Sequence, residues 1–228
     1  IIVNICDFTL EHYREVIAKA LTSGYRIYCF RDWVNGTLHG NRTLLLRHDV
    51  DVSLENAVRL AKVEAELGIS ATYFIRLHAR YYQPLTPESW TYLNELRQGG
   101  ADIGLHYERN FYEITGNDDH VEMLAQDVKI LSSILGEPIG GSAAHMPKSF
   151  APFDMATVQG IGLDYEAYAL EFTRKRKYIS DSRRCWREGC LCQWLGKADH
   201  LTVLTHPIWW LSASEEAPQI LERLQAGD

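Results

Sequence analysis

One stretch decides the fold that we predict for this chain: Thr43-Leu44-Leu45-Leu46-Arg47-His48-Asp49-Val50-Asp51. Its apolar first half is typical of a buried strand, and its second half ends in charge. Ser53 then follows as an N-cap for a helix over 54–67, and Gly68 is suited to end that helix. A strand that carries acidic side chains to its C-terminal end, directly before a helix, is typical of an active site in an α/β protein.

Arg47, Asp49 and Asp51 fall on one face of this strand, because side chains alternate between the two faces of an extended chain. Two carboxylates this close repel each other, so we expect one of them to have a raised pKa or to bind a cation. A plainer alternative is that Asp51 helps to cap the helix and that Asp49 pairs with Arg47. His48 falls on the opposite face, where we expect it to pack in the core.

The rest of the chain alternates between helical and extended patterns. Helices are predicted over 9–23, over 87–97 with Thr86 as N-cap, and over 119–135; the region 147–160 is irregular or weakly helical, and a last helix covers 213–225. Strands are predicted over 25–30, 71–77, 102–106, 141–145, 161–165, 178–181 and 201–206. Such alternation implies parallel strands joined by right-handed crossovers. About seven such units, with no linker between them, predict one barrel-like α/β domain over residues 1–228.

Composition narrows the class of protein. The net charge of -7 argues against a nucleic acid as the main partner, and no apolar run is long enough for a membrane span. The given sequence does not open with a secretory signal pattern, so we expect a cytoplasmic protein; a homo-oligomer is compatible with the sequence. Cys185, Cys190 and Cys192 lack the paired spacing of a zinc knuckle, so we interpret the five cysteines as reduced thiols and His12 as a surface residue.

Polar side chains end several of the predicted strands. They are Asp49, Asp51, His106, His145, Asp181 and His206. In a parallel barrel the active site lies at the C-terminal ends of the strands, where these side chains would meet. A carboxylate and two imidazoles around one point leave an open coordination position, which is typical of a catalytic zinc site. We expect the cation to activate water, a free carboxylate to take its proton, and a histidine to protonate a leaving amine.

Four segments carry a recognisable set of motifs. They are Arg47-His48-Asp49-Val50-Asp51, Thr72-Tyr73-Phe74, Gly104-Leu105-His106-Tyr107-Glu108 and Leu204-Thr205-His206-Pro207. Together they resemble the polysaccharide deacetylase (NodB-homology, carbohydrate esterase family 4-like) superfamily, above all its divergent branch with an HDVD motif, which occurs among proteins of surface-sugar biosynthesis. The resemblance runs from about residue 7 to residue 211. It implies a distorted (β/α)7 barrel and a metal-dependent hydrolysis of N-acyl groups.

The resemblance also implies roles for single residues. Asp49 would be the general base, His206 the general acid, and Asp181 the residue that orients this histidine. Asp51 and His106 would be metal ligands. Further residues are expected to line the substrate pocket, namely Arg47, Glu108, Asn110, Trp186 and Trp209. Trp209 has the alternative of filling the core behind the barrel, and Glu108 that of pairing with Arg109 or Arg47.

Two departures from the family pattern concern the third metal ligand. The second motif of the family has two histidines four residues apart, and this chain has Asn110 at the second position. His145 is the natural substitute, because imidazole suits borderline cations. However, His145-Met146-Pro147-Lys148 also aligns with the Arg-x-Pro-Tyr motif, whose first residue steadies the catalytic base. Both Asn110 and His145 therefore stay open as the third ligand.

These inferences predict a cytoplasmic, metal-dependent hydrolase that removes an N-acyl group, foremost acetyl, from a sugar or small carbohydrate during O-antigen or capsule biosynthesis. One divalent metal ion is expected, zinc first, with Co, Ni, Fe or Mn as alternatives. Two other functions stay open. One is a catalytically degenerate carbohydrate-binding protein, and the other is a hydrolase of another non-peptide carbon–nitrogen bond, such as a formamide or cyclic ureide.

Overall fold

The sheet is the centre of the fold. The computed structural model describes residues 6–210 and position 222. Within them, parallel strands form one curled sheet: β1 (Arg26–Tyr28), β2 (Thr43–Val50), β3 (Thr72–Ile75), β4 (Asp102–Tyr107), β5 (Gly141–Ala144), β6 (Tyr165–Glu166), β7 (Lys177–Ser180) and β8 (His200–Thr205). Seven of them follow the spatial order β6-β5-β4-β3-β2-β8-β7, and β1 pairs with the start of β2. This is the predicted distorted (β/α)7 barrel.

Helices connect the strands. They are α1 (Leu10–Thr22), α2 (Phe30–Val34), α3 (Leu54–Glu66), α4 (Pro87–Gln98), α5 (Arg109–Thr115), α6 (His120–Leu135), α7 (Met155–Gly160) and α8 (Leu170–Thr173). The predicted caps are confirmed: Ser53 accepts a hydrogen bond from the backbone N–H of Asn56, and Thr86 accepts one from that of Ser89. Short 3-10 turns cover Ser182–Arg184, Leu191–Gln193 and Pro207–Trp209.

Strand β2 is buried along its whole length, and its two faces serve different parts of the molecule. Leu44 and Leu46 pack in the main hydrophobic core, together with residues of α1 and α3. Leu45 belongs to a second apolar cluster with Phe30 and Phe74. Because side chains alternate along a strand, the face of Leu45 continues into Arg47 and Asp49. His48 packs on the other face as predicted, with Nε2 2.7 Å from Oε1 of Glu64.

Several boundaries differ from the sequence predictions. The strand predicted over 25–30 ends at Tyr28, because Asp32 accepts a hydrogen bond from the N–H of Cys29 and the chain turns into α2. Helix α5 was not predicted, and the helical part of 147–160 is limited to α7. The helix predicted over 213–225 lies outside the described residues. Within the described part of the chain, no helix is long and apolar enough to cross a membrane.

The barrel has a seam between β6 and β7. Among the described residues, each of these strands pairs with one neighbour only, β6 with β5 and β7 with β8. They follow each other in the chain and are joined through α8. In the described residues, the seam is crossed by side chains rather than by a strand ladder, and the rings of Tyr168 and Tyr178 lie 6.3 Å apart there.

Candidate active site

The ends of four strands bring together the acid and the histidines expected at the site. Asp51 follows β2, His106 lies on β4, His145 follows β5, and His206 follows β8. Nε2 of His106 is 3.3 Å from Oδ1 of Asp51, and Nε2 of His145 is 3.9 Å from the same oxygen. Nε2 of His206 is 3.8 Å from the other carboxylate oxygen. We call these four residues the Asp51 cluster.

The donor atoms of the Asp51 cluster fit a divalent cation. His106 has Nδ1 2.9 Å from the carbonyl oxygen of Ala143, so this nitrogen carries the proton and Nε2 keeps its lone pair in the neutral ring. Oδ1 of Asp51 is buried without a hydrogen-bond partner, and so is Nδ1 of His145. Two imidazole nitrogens, from His106 and His145, beside an unpartnered carboxylate oxygen are a donor set that suits zinc and related cations.

Electrostatics favour the same interpretation. Burial opposes ionisation of Asp51, but the nearby His106 and His206 outweigh it and hold the pKa of Asp51 well below its ordinary value. Burial lowers the pKa of His145 to about 4, and the charges of His106 and Arg76 act in the same direction. At neutral pH the cluster therefore contains an ionised carboxylate and a neutral His145, which are the ligating forms of both groups.

Asp49 is held by Arg47. Nη2 of Arg47 donates to both carboxylate oxygens of Asp49 at 2.8 Å, and Nε donates to Oδ1 at 3.1 Å. Arg47 is fully buried between the rings of Phe74 and Tyr168, at 4.9 and 4.5 Å from their centroids. The pairing predicted as an alternative is thus confirmed. Since the guanidinium is committed to Asp49, Arg47 is placed to fix this carboxylate rather than to reach a ligand.

His206 is held by Asp181. Oδ1 of Asp181 lies 2.6 Å from Nδ1 of His206, and Oδ2 accepts the backbone N–H of His206 at 3.0 Å. Trp210 donates its indole N–H to Oδ2 at 2.9 Å. Burial lowers the pKa of His206, but the charge of Asp181 and its hydrogen bond outweigh burial and raise this pKa to about 9. His206 is therefore protonated at neutral pH, with Nε2 3.8 Å from Oδ2 of Asp51.

Arg76 is a site residue that the sequence analysis missed. It follows β3, donates from Nη1 to the carbonyl oxygen of Asp51 at 3.2 Å, and forms an ion pair with Glu108. The expected pairing of Glu108 with Arg109 or Arg47 is wrong, because Arg76 and the backbone N–H of His78 occupy its carboxylate. A charged residue directly after a buried strand was the available signal. The hydrogen bond from Trp210 to Asp181 was not predicted either.

The remaining expected residues have simpler surroundings. Oδ1 of Asn110 is buried and makes no hydrogen bond. Trp186 stacks on Phe8 at 6.2 Å and meets the ring of Trp210 at 6.1 Å. Trp209 is 7% exposed, which suits the alternative in which it fills the core. Substrate contacts of Asn110, Trp186 and Trp209 stay predictions.

No family model and no curated protein matches this sequence. Solved structures do match. A chitin deacetylase from the fungal pathogen Colletotrichum lindemuthianum is 11% identical with a TM-score of 0.51, and the match covers 90% of this chain and 86% of that one. A CE4 family pseudoenzyme from Bacillus anthracis is 14% identical with a TM-score of 0.51, over 82% and 62% of the two chains. A mutant of this pseudoenzyme with restored enzymatic activity is 13% identical with a TM-score of 0.51, over 82% and 64%.

These matches establish the fold. At such low sequence identity the matches show a shared barrel fold. They confirm the predicted fold of the polysaccharide deacetylase type. The chain spans less than two thirds of the length of the two pseudoenzyme structures.

Proposed function

We propose that this chain is a metal-dependent hydrolase that removes an N-acyl group, foremost acetyl, from a sugar or small carbohydrate. The observation that carries the proposal is the convergence of three imidazoles on Asp51 at 3.3 to 3.9 Å, beside a second carboxylate, Asp49. Nε2 of His106 lies 3.5 Å from Oδ2 of Asp49, so base and ligand set form one site. The fold, which is that of the chitin deacetylase, supports the reaction class.

Asp51, His106 and His145 would hold the cation. A divalent cation held by these side chains supplies Lewis acidity toward an acyl oxygen and toward water. Zinc suits two imidazoles and a carboxylate best, and Co, Ni, Fe or Mn are the alternatives. His145 is preferred over Asn110 because its neutral ring faces Asp51, with Nε2 3.9 Å from the carboxylate.

The protein supplies both a base and an acid beside Asp51. Asp49 takes the proton of the attacking water, and the hydrogen bonds from Arg47 fix this carboxylate in orientation. His206 gives the proton on Nε2 to the departing nitrogen, and Asp181 stabilises the imidazolium before the transfer. Arg47 thus does for Asp49 what the first residue of the Arg-x-Pro-Tyr motif does in the family, and this frees His145 for ligation.

Metal analysis and turnover test the proposal together. Asp51→Ala and His106→Ala should each lower the bound zinc by about one equivalent per chain relative to wild type, since each removes a ligand from a three-ligand site. Asp49→Asn should keep the metal and release no acetate from N-acetylated sugars. Acetate release by Asp49→Asn at the wild-type rate would contradict the role of Asp49 as base.

The zinc affinities of two variants show which residue is the third metal ligand. His145→Ala should weaken zinc binding by more than about 100-fold, because loss of a ligand exceeds the effect of losing an outer partner. Asn110→Ala is the matched control, with wild-type zinc affinity expected. The reverse ranking of the two variants would assign the ligand to Asn110.

A catalytically degenerate carbohydrate-binding protein is the second candidate. Asn110 at the position of a family histidine favours it, as does the similarity to a pseudoenzyme. Protein that binds zinc at the Asp51 cluster and N-acetylated sugars, yet turns over neither these sugars nor a panel of formamides and cyclic ureides, would establish this function. Turnover of the panel alone would identify a hydrolase of another carbon–nitrogen bond.

The place of action is part of the same proposal. We place the protein in the cytoplasm, in the biosynthesis of a surface polysaccharide such as an O-antigen or capsule. The described cysteines form no disulfide, which supports a reducing compartment. The resemblance to the HDVD branch supports the pathway. A small carbohydrate is the proposed partner, and light scattering of the purified protein would decide between a monomer and a homo-oligomer.

A further inference from the structure

Three cysteines and one histidine form a second cluster of possible ligands, which shares no residue with the Asp51 cluster. Its members are Cys6, His12, Cys190 and Cys192, whose ligand atoms all lie within 4.8 Å of one another. Sγ of Cys6 is 3.2 Å from Sγ of Cys192, and Nε2 of His12 is 3.4 Å from Sγ of Cys190. We call this group the Cys/His cluster.

We propose that the Cys/His cluster is a structural zinc site. Three thiolates and one imidazole are a complete tetrahedral ligand set, which leaves no open position for catalysis. With ordinary zinc–sulfur and zinc–nitrogen bonds, neighbouring ligand atoms of such a site are about 3.5 to 3.8 Å apart. The spacing of the Cys/His cluster, from 3.2 Å to at most 4.8 Å, brackets this range.

The surroundings of His12 suit a ligand. This residue is 7% exposed, so the expectation of a surface position is wrong. Its Nε2 faces the thiol of Cys190, while Nδ1 lies 3.9 Å from Oε2 of Glu15. A carboxylate near the second ring nitrogen is the usual outer partner of a zinc-bound imidazole, because it orients the ring and raises its basicity.

The spacing of these four residues in the sequence does not indicate the cluster. Cys6 and Cys192 are 186 positions apart, and only the fold joins the segment before α1 to the 3-10 turn Leu191–Gln193. Cys185, which the sequence analysis grouped with Cys190 and Cys192, is exposed and lies outside the cluster. A bound ion would therefore link both ends of the described chain.

The Cys/His cluster is also close to the residues that hold His206 in place. The ring of His12 stacks on Trp210 at 6.2 Å with an interplanar angle of 18°. Trp210 donates its indole N–H to Asp181, the carboxylate that holds His206. Zinc bound to His12 would fix the side chain against which Trp210 packs.

Cobalt substitution tests the proposal separately from the Asp51 cluster. In the Asp51→Ala/His106→Ala double variant of the full chain, we expect about one equivalent of zinc, and after exchange for Co²⁺ a thiolate-to-cobalt charge-transfer absorption. Adding Cys190→Ser or Cys192→Ser should abolish both signals. Cys185→Ser is the matched control and should leave both unchanged.

Thiol labelling of the wild-type protein keeps the proposal falsifiable if those variants do not fold. Alkylation followed by mass spectrometry should find Cys6, Cys190 and Cys192 protected until a strong chelator is added, and Cys185 reactive throughout. The proposal is overturned if the double variant binds no zinc and shows no charge-transfer band. Equal alkylation with and without chelator overturns it too, and so does a Cys6–Cys192 disulfide in protein purified without reductant.

Discussion

Replacing Asp181 by Asn tests the link between the buried carboxylate and the acid function of His206. The change keeps the volume and removes one negative charge. Asp181 is fully buried and accepts three hydrogen bonds, two from His206 and one from Trp210. In Asp181→Asn the amide oxygen can still accept the two hydrogen bonds that Oδ2 accepts in wild type, from the backbone of His206 and from the indole of Trp210. The amide NH2 group then faces Nδ1 of His206 and can donate only to the neutral ring.

The size of the effect follows from the pKa of His206. Asp181 and burial together place it at about 9. Without the charge it should fall to about 6.5 or lower, which removes about 3 kcal/mol of stabilisation from the imidazolium. The protonated fraction at about pH 7.5 then drops roughly tenfold, and at about pH 8.5 roughly seventyfold. If His206 is the general acid, kcat should fall by the same factors.

The assay is the pH profile of kcat for acetate release by the zinc-loaded protein. The alkaline limb of Asp181→Asn should move to lower pH, and activity should recover toward wild type below about pH 6.5. Trp210→Phe is the control, because it removes one hydrogen bond to the same carboxylate and keeps the charge. Our reasoning fails if Asp181→Asn keeps the wild-type profile, or if both variants shift the limb equally.

Stability gives an independent readout of the same pair. Because the pKa of His206 is raised in the folded protein, its contribution to stability is complete below about pH 6.5 and is lost as the pH rises through about 9. The difference in free energy of unfolding between wild type and Asp181→Asn should therefore be largest in acid and shrink across that window. A difference that is independent of pH would contradict the charge assignment.

Three further predictions concern packing and buried charge. Arg47→Lys keeps the charge but loses the two-pronged contact with its carboxylate, and urea unfolding should show a loss of about 3 kcal/mol; wild-type stability would contradict this. Burial raises the pKa of Glu166 to about 7, so the free energy of unfolding of wild type should fall as the pH rises from about 4.5 to 7, whereas that of Glu166→Gln should lack this fall. Gly141→Ala should cost about 1 to 3 kcal/mol, because the new Cβ would lie 2.1 Å from the ring of Tyr165; Gly160→Ala, which meets nothing within 4 Å, is its control.

Local sequence patterns predicted the helices and the strand ends of this protein well. Cap residues and glycines placed the long helices within one or two positions, as Ser53 and Thr86 show. The end of a parallel strand is also a local property, so the sequence could place Asp51, His106 and His206 at one mouth of the barrel. The partners of these residues were harder to predict, because each comes from a distant segment.

Long-range pairing explains what the sequence analysis missed. Glu108, which follows β4, forms an ion pair with Arg76, which follows β3, at a sequence separation of 32. Nothing in the spacing of either residue indicates that pair. The helical pattern predicts that His12 is exposed, but the distant Cys190 and Trp210 cover it. The identity of the third ligand depends on geometry in the same way, since both Asn110 and His145 follow a strand by a few residues.

The seam between β6 and β7 affects how the site can adapt. Edge strands have backbone groups without a ladder partner on one side, so their amide hydrogens should exchange faster than those of β2, which is paired on both sides. Strand β7 leads to Asp181 and moves with β8, which leads to His206, whereas β6 leads to Ala167, the carbonyl that accepts from Arg47. Widening the seam therefore moves the carbonyl of Ala167 away from Arg47, whereas Asp49 and His206 stay together because β2 and β8 are paired. The breadth of the barrel mouth is set by side-chain contacts such as that of Tyr168 with Tyr178, and a bulky substrate can spread it without breaking a strand pair.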